Sequence, residues 1–514
     1  MKMISLLAIA AALTAAAPAA HASTTPRESQ EARQAKPTMS PFAAHLQAGE
    51  NRFNSGDYAG ARTEYAEAVA DPDFSAMPQA TRHLALTFLA SAESMSGDDV
   101  AAYAHLTAAG PATGDVTDTV YYYTMTVAGY DTGHKDEALD ALIGLGRVAP
   151  DKLKYFTIRF IGEMDRLAHK RADGGITRKQ LLETLWSAHY ESTDIYDSME
   201  TLWFDLFEIH VAAGEDDAAR AILPAFQDPR TVIKLRCDKR YSRFLTTYPR
   251  AGNFAVSLDA SIAAARALMA AHPRDIAAVD ELVSRLSDAN HLDEALKLTD
   301  GVLAKVAAAP KDAPAYDDQG EKLPWLQMTR ADVLQRLGRV DDQLKSQEAA
   351  RDNAASSRDT VSQAINLGDQ YYATGRPQDA LDAVKDVDGN VSPYGQMAAM
   401  EVRACAYKAL ADTDKLATTM AYMKAHVDDG YGPYRGALLC TGDTEGMADV
   451  LVARLDNPET RNEVLVWVQN YLPQPMSDFA RQLSDVAETA QARPEVKAAI
   501  AKYGTVETYA IFEW

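Results

Sequence analysis

Three cysteines, eleven histidines and 73 carboxylates are the raw material for chemistry in this chain of 514 residues, and their spacing assembles little of it. No two histidines stand three or four residues apart and no H-E-x-x-H occurs, so no helix offers a zinc face. There is no G-x-S-x-G, no S-x-x-K and no glycine loop to cradle a phosphate. Cys237, Cys405 and Cys440 stand alone without a C-x-x-C; Arg236 and Lys239 are placed to lower the pKa of Cys237, but no paired histidine is evident. The best calcium candidate, Asp386-Val-Asp388-Gly-Asn390-Val-Ser392, has oxygen donors at alternate positions. It lacks the glycine at the sixth place and has Met397 where a bidentate Glu is needed. With carboxylates this abundant, choosing two as acid and base would be arbitrary. The expectation is no catalytic residue, no metal and no cofactor.

Charge is the next chemistry to consider. Lys and Arg total 51, and the net charge of −22 excludes a general nucleic-acid binder. Two windows run against this balance. Lys152 to Lys179 holds eight basic residues against three acidic ones. Arg230 to Arg250 holds seven against Asp238 alone. Arg236, Lys239, Arg240 and Arg243 in the second window are candidate contacts for an anionic partner, and internal pairing with the chain's own Asp and Glu is the competing account. Tyr122 is a further candidate, because three successive tyrosines, 121 to 123, cannot all face inward from one helix.

The elements that must position these residues come from a repeat. Gly49 is followed by Phe53, Gly56, Tyr58, Ala61, Tyr65, Ala68 and Pro72; Gly368 is followed by Tyr371, Gly375, Ala380, Val384 and Val387. In both runs the second glycine lies seven residues after the first and the alanine twelve. Gly49 and Gly368 then sit on a first helix and Ala61 and Ala380 on a second, where the two cross. Gly56 and Gly375 occupy the turn, which a positive φ makes cheap for glycine. Weaker copies carry Gly133 with Ala138, Gly214 with Ala219, and Asn290 with Ala295. Turn residues at 56, 97, 133, 214, 290, 338, 375, 412 and 442 give about eleven hairpins at the usual period.

This layout resembles the tetratricopeptide repeat (TPR), a helical hairpin that stacks into a right-handed superhelix. The resemblance implies an all-α solenoid whose concave groove holds protein or peptide segments. The predicted organisation is an N-terminal array over 41–228, a basic connector over 229–252, a C-terminal array over 253–475, and a helical cap with an extended tail over 476–514. The tail's Trp514 is either docked or a ligand for a partner. No later stretch reads as apolar enough to cross a membrane.

Residues 1–22 have the three-part layout of an export signal, with Lys2, an apolar run and an A-x-A site that predicts cleavage after Ala22; 23–40 reads as a flexible leader. The functional expectation is a periplasmic or secreted non-enzymatic scaffold with a protein or peptide partner in the cell envelope. Glycan binding or polysaccharide export is the alternative, to be recognised by exposed Trp and Tyr with Asp and Asn around them in the groove. A hydrolase assembled across hairpins is the third, and would need close carboxylates in a pocket.

Overall fold

The computed structural model describes residues 39–110, 118–192, 196, 198–246, 248, 254–310, 312–354, 357–387 and 391–512, and the regular structure among them is helical. The expected export signal, most of the leader, residues 249–252 of the expected connector, part of the calcium candidate and Trp514 lie outside the described residues. The chain divides into two compact units, Met1–Ile209 and His210–Trp514.

The first unit holds α1 (Pro41–Asn54), α2 (Tyr58–Val69), α3 (Gln79–Met95), α4 (Asp99–Ala109), α5 (Asp118–Asp131), α6 (Lys135–Val148), α7 (Ile158–Lys170) and α8 (Ile176–Ser187); the division falls within α9 (Glu200–Ala213). Successive helices pair as hairpins. The device at each joint is a residue with positive φ followed by the N-cap of the next helix. Gly56 has φ +84°, and the carboxylate of Asp57 accepts from the Gly60 amide; Gly97 and Asp98 repeat this before α4.

The glycines on first helices act as notches, though not for the residues expected. Ala61 and Ala380 are fully buried, as a crossing requires. The atoms nearest the open side of Gly49, however, belong to the ring of Tyr65, and those nearest Gly368 to Val384 and Val402. In both hairpins the notch receives the side chain one helical turn beyond the alanine. The alanine thins the second helix so that its bulky neighbour can seat against bare backbone. Ala138, Ala219 and Ala295 are likewise fully buried, and Ala138 Cβ is close to Gly129.

The second unit begins with α10 (Asp216–Ile222), α11 (Pro229–Cys237), α12 (Ser242–Leu245) and α13 (Phe254–Ala271). Five hairpins follow: α14 (Ile276–Asp288) with α15 (Leu292–Ala308), α16 (Gln319–Arg336) with α17 (Val340–Asn353), α18 (Ser357–Ala373) with α19 (Pro377–Ala383), α20 (Pro393–Ala409) with α21 (Thr413–Ala425), and α22 (Tyr431–Thr441) with α23 (Thr444–Asp456). α24 (Arg461–Trp467), α25 (Asp478–Ala492) and α26 (Pro494–Tyr503) complete it. Gly133, Gly214, Gly338, Gly375 and Gly442 all have positive φ at the predicted turns, as does Asn290. The turn expected at Asp412 is one residue off. Ala411 takes φ +56°, and Asp412 is the N-cap, accepting from the Lys415 amide.

Within the segment read as a basic connector, Pro229–Cys237 is helical as α11, with Val232, Ile233, Leu235 and Cys237 buried, because its apolar residues recur at helical spacing among the charges. The expectation of no later stretch apolar enough to cross a membrane needs correction. Helix α13 is long and apolar enough by composition to cross a membrane. Its richness in alanine produces that, and one face, Leu258, Ile262 and Ala265, is in the core of this unit. Cys405 on α20 and Cys440 on α22 form a disulfide with their Cα atoms 5.5 Å apart.

Candidate functional site

The sequence-predicted contacts are occupied by the chain itself. Arg236 pairs with Glu507 at 2.8 Å, the Lys239 ammonium donates to the Ala501 carbonyl, Arg240 pairs with Asp238 at 2.7 Å, and Arg243 with Asp216 at 2.9 Å. The Arg236 and Lys239 contacts, with the amide of Thr505 donating to the Cys237 carbonyl at 2.9 Å, seat the C-terminal segment on α11 and the turn after it, while Arg240 and Arg243 are paired within the start of this unit. Tyr509, Ile511 and Phe512 are buried there. Two cations of the basic window, Arg236 and Lys239, thus anchor the tail, and the others named are paired with carboxylates nearby. Cys237 is fully buried, and burial with Asp238 beside it pushes its thiol well up, overriding the basic neighbours. Tyr122 is packed as well, its ring against the bare α-carbon of Gly144 and edge-on to Tyr121 at 5.5 Å.

A groove of about 750 Å³ opens in the second unit instead. Its walls come from α14, α16, α17 and α18, and from Pro475 to Leu483 at the start of α25. Asp280, Asp332 and Asp369 line it, with Trp325, Gln347, Asn366 and Tyr372. The register of the hairpins puts the acids in a row. Asp332 and Asp369 stand six residues before the turn residues Gly338 and Gly375, and Asp280 and Glu401 stand ten before Asn290 and Ala411. Six and ten differ by one helical turn, so all four project from the same face of successive first helices.

Their electrostatics are unusual for carboxylates. Burial pushes Asp280 up to about 6, against a hydrogen bond from Thr329, and pushes Asp332 up to about 6 against the attraction of Arg336. Asp332 keeps solvent contact, but a concave wall surrounds it with protein and thins the water that would stabilise its charge. Burial raises both Asp369 and Glu401; the charge of Asp369 raises Glu401 further, Tyr372 hydrogen-bonds Asp369 and Arg435 draws Glu401 the other way. The carboxylate of Glu401 rests against the α-carbon of Gly436, where a Cβ would overlap it.

The opposite wall is a piece of the chain's own backbone. Ser477 caps α25, and Phe479 meets Tyr372 edge-on with ring centroids 5.6 Å apart. Phe479, Leu483 and Val486 are half-buried along one stripe, ending at the buried Ala490. Sequence reasoning assigned this helix to a terminal cap, and it passed over the acidic row.

Stacked hairpins with a left-handed turn residue, a capped second helix and a notched crossing define the class: each unit is an all-α array of helical hairpins, similar in layout to the tetratricopeptide repeat. Solved structures with similar helical arrangements include Naa15/Naa10 bound to HypK-THB (12% identity, 89% of this chain and 80% of that chain, TM-score 0.28). The Cut9-Hcn1 hetero-tetramer of APC/C (11%, 90% and 96%, TM-score 0.29) and a Rap protein complexed with competence and sporulation factor (10%, 87% and 98%, TM-score 0.27) are others. No protein-family model and no curated protein matches the chain.

Proposed function

We propose that the chain is a non-enzymatic scaffold that holds a polypeptide segment of a partner in the groove of its second unit. One observation carries this reading: the groove already accepts polypeptide, since the segment from Pro475 to Leu483 forms one wall with Phe479 on Tyr372, and about 750 Å³ beside it is open. First-helix side chains of stacked hairpins supply a rigid floor, and rigid, concave, partly aromatic surfaces favour extended or helical peptides. An extracytoplasmic location belongs to the same reading. Its support is the A-x-A segment ending at Ala22 and the Cys405–Cys440 disulfide, since such bonds persist in oxidising compartments.

Panning a displayed random-peptide library on the full chain tests the proposal, with Trp325→Ala as the comparison because Trp325 sits at the rim and is 36% exposed. Peptides enriched on the parent and lost on the variant support it; no groove-dependent enrichment refutes it. Glycan binding is the second reading, favoured by Trp325 and Tyr372 lining the groove with Asn366 and three aspartates. A glycan array probed with the same two proteins separates the readings.

A further inference from the structure

Building on the peptide-groove reading, we infer that the segment held there is recognised through a basic side chain, an arginine or lysine, with Asp280, Asp332 and Asp369 as its counter-charges and Trp325 and Tyr372 as its aromatic flanks. Three acceptors lining this one groove have no partner: Oδ1 of Asp280, Oδ1 of Asp369 and Oε1 of Gln347. Gln347 is only 6% exposed, so its orphaned oxygen is part of a built interior and not of a solvated rim. Acceptors left unmatched at such a depth call for a ligand that brings donors.

A cation answers the site better than a neutral donor. A carboxylate that has lost water recovers most from an opposite charge brought into the same concavity. The groove's own cations are committed elsewhere. Arg336, the base nearest Asp332, donates to Ser287 Oγ at 2.7 Å, lies 3.7 Å from Asp288, and stacks over Phe512 at 4.7 Å. Arg435, which faces Glu401, has its guanidinium over Trp467 at 4.8 Å. Lys322 attracts Asp280, and its ammonium is 2.9 Å from Glu321. A guanidinium has five donors in one plane, enough to serve several separated acceptors while its face lies on an aromatic ring.

The charged groups that set the pH response are, for Asp280, Glu281, Asp332 and Lys322; for Asp332, Arg336 and Asp288; for Asp369, Tyr372 and Glu401, with Arg435 behind them. Since Asp280 and Asp332 lose their charge near pH 6, the site holds a cation at pH 7.5 and releases it at pH 5.5.

Isothermal titration of the full chain with Ac-Gly-Arg-Gly-Arg-Gly-NH2 and with its citrulline counterpart, which keeps the shape and removes the charge, tests the inference. The expected result is at least tenfold tighter binding of the arginine peptide at pH 7.5, a loss of about tenfold in Asp280→Asn and in Asp369→Asn, and further weakening at pH 5.5. Asp217→Asn, at a fully exposed carboxylate, should change nothing, which separates the groove from the general negative charge of the chain. Circular dichroism melts of both groove variants confirm folding. Equal affinity for the citrulline peptide, or unchanged affinity in both groove variants, overturns the inference. Library peptides that are groove-dependent yet lack Arg and Lys would leave the peptide reading standing and remove this one. A sugar oligomer bound in place of every peptide would remove both.

Discussion

The notch beneath each hairpin crossing makes a sharp prediction about two glycine-to-alanine changes of opposite sign. A Cβ built on Gly49 falls 2.6 and 2.9 Å from two ring carbons of Tyr65, about 1 Å inside ordinary contact. The ring cannot swing away: Tyr65 is fully buried, and Phe88 packs against it with centroids 5.7 Å apart. Overpacking of this kind costs about 1–3 kcal/mol, and the better helix propensity of alanine returns about 1 kcal/mol. Gly49→Ala should therefore destabilise the first hairpin by up to about 2 kcal/mol. Gly162, inside α7 of the same unit, has nothing within 4 Å of its would-be Cβ. Gly162→Ala should stabilise by about 1 kcal/mol, since only the propensity term remains. Hydrogen-exchange mass spectrometry reads each locally, on peptides from 41–69 and 158–170. If Gly49→Ala slows exchange in its hairpin as Gly162→Ala does in α7, the close seating of Tyr65 is not what joins α1 to α2.

Ala411→Gly should stabilise the second unit by about 1 kcal/mol, because φ +56° strains a residue with a Cβ and suits glycine; a urea midpoint that does not rise would deny the strain. Removing the Cys405–Cys440 disulfide by Cys→Ser at both positions closes off a 35-residue constraint and should cost about 4 kcal/mol, read as faster exchange in α20 and α22. Ending the chain after Gly504 strips Tyr509, Ile511 and Phe512 from the core, a loss on the order of 5 kcal/mol, and should expose the amides of α11; unchanged α11 exchange would show that the tail is not its cover. The urea midpoint of the second unit should fall as pH rises from about 4 to about 6 and level off above that. The unfolded chain ionises Asp280 and Asp332 near the ordinary carboxylate range while the folded chain keeps their protons up to about pH 6, so the pull toward the unfolded state grows across that window; below about pH 4 both states are protonated and the penalty is gone. Asp280→Asn should flatten that slope and raise the midpoint at pH 7.5.

What the sequence could and could not reveal follows from the range of the interactions involved. Turn residues answer to the backbone of their own residue, so Gly56, Gly133, Gly214, Gly375 and the rest were legible one at a time, and Ala411 escaped only because its side chain disguises its φ. The glycine notches were legible as a spacing, but their occupants were not. Whether Ala61 or Tyr65 fills the space at Gly49 depends on the angle between two helices, which a spacing does not state. The basic window misled for a different reason. Its charges are real, but the groups that satisfy them, Glu507 and the Ala501 carbonyl, come from more than 260 residues downstream. The same rule explains the acidic row. Asp280, Asp332, Asp369 and Glu401 are unremarkable among 73 carboxylates until each is counted back from its own turn residue. In a solenoid the repeat register replaces distance along the chain as the measure of neighbourhood: residues at one register, or one helical turn apart, share a face however far they are separated. Chemistry in such a chain is therefore to be sought among residues equivalent in the repeat. The row ends at the fifth hairpin, where the positions ten and six residues before Gly442 are Gly432 and Gly436, and Arg435 beside them draws Glu401 with a cation in place of another acid. On the reading proposed above, a ligand with a positive side chain is thereby confined to the stretch from Asp280 to Asp369, the same stretch that Pro475 to Leu483 walls in.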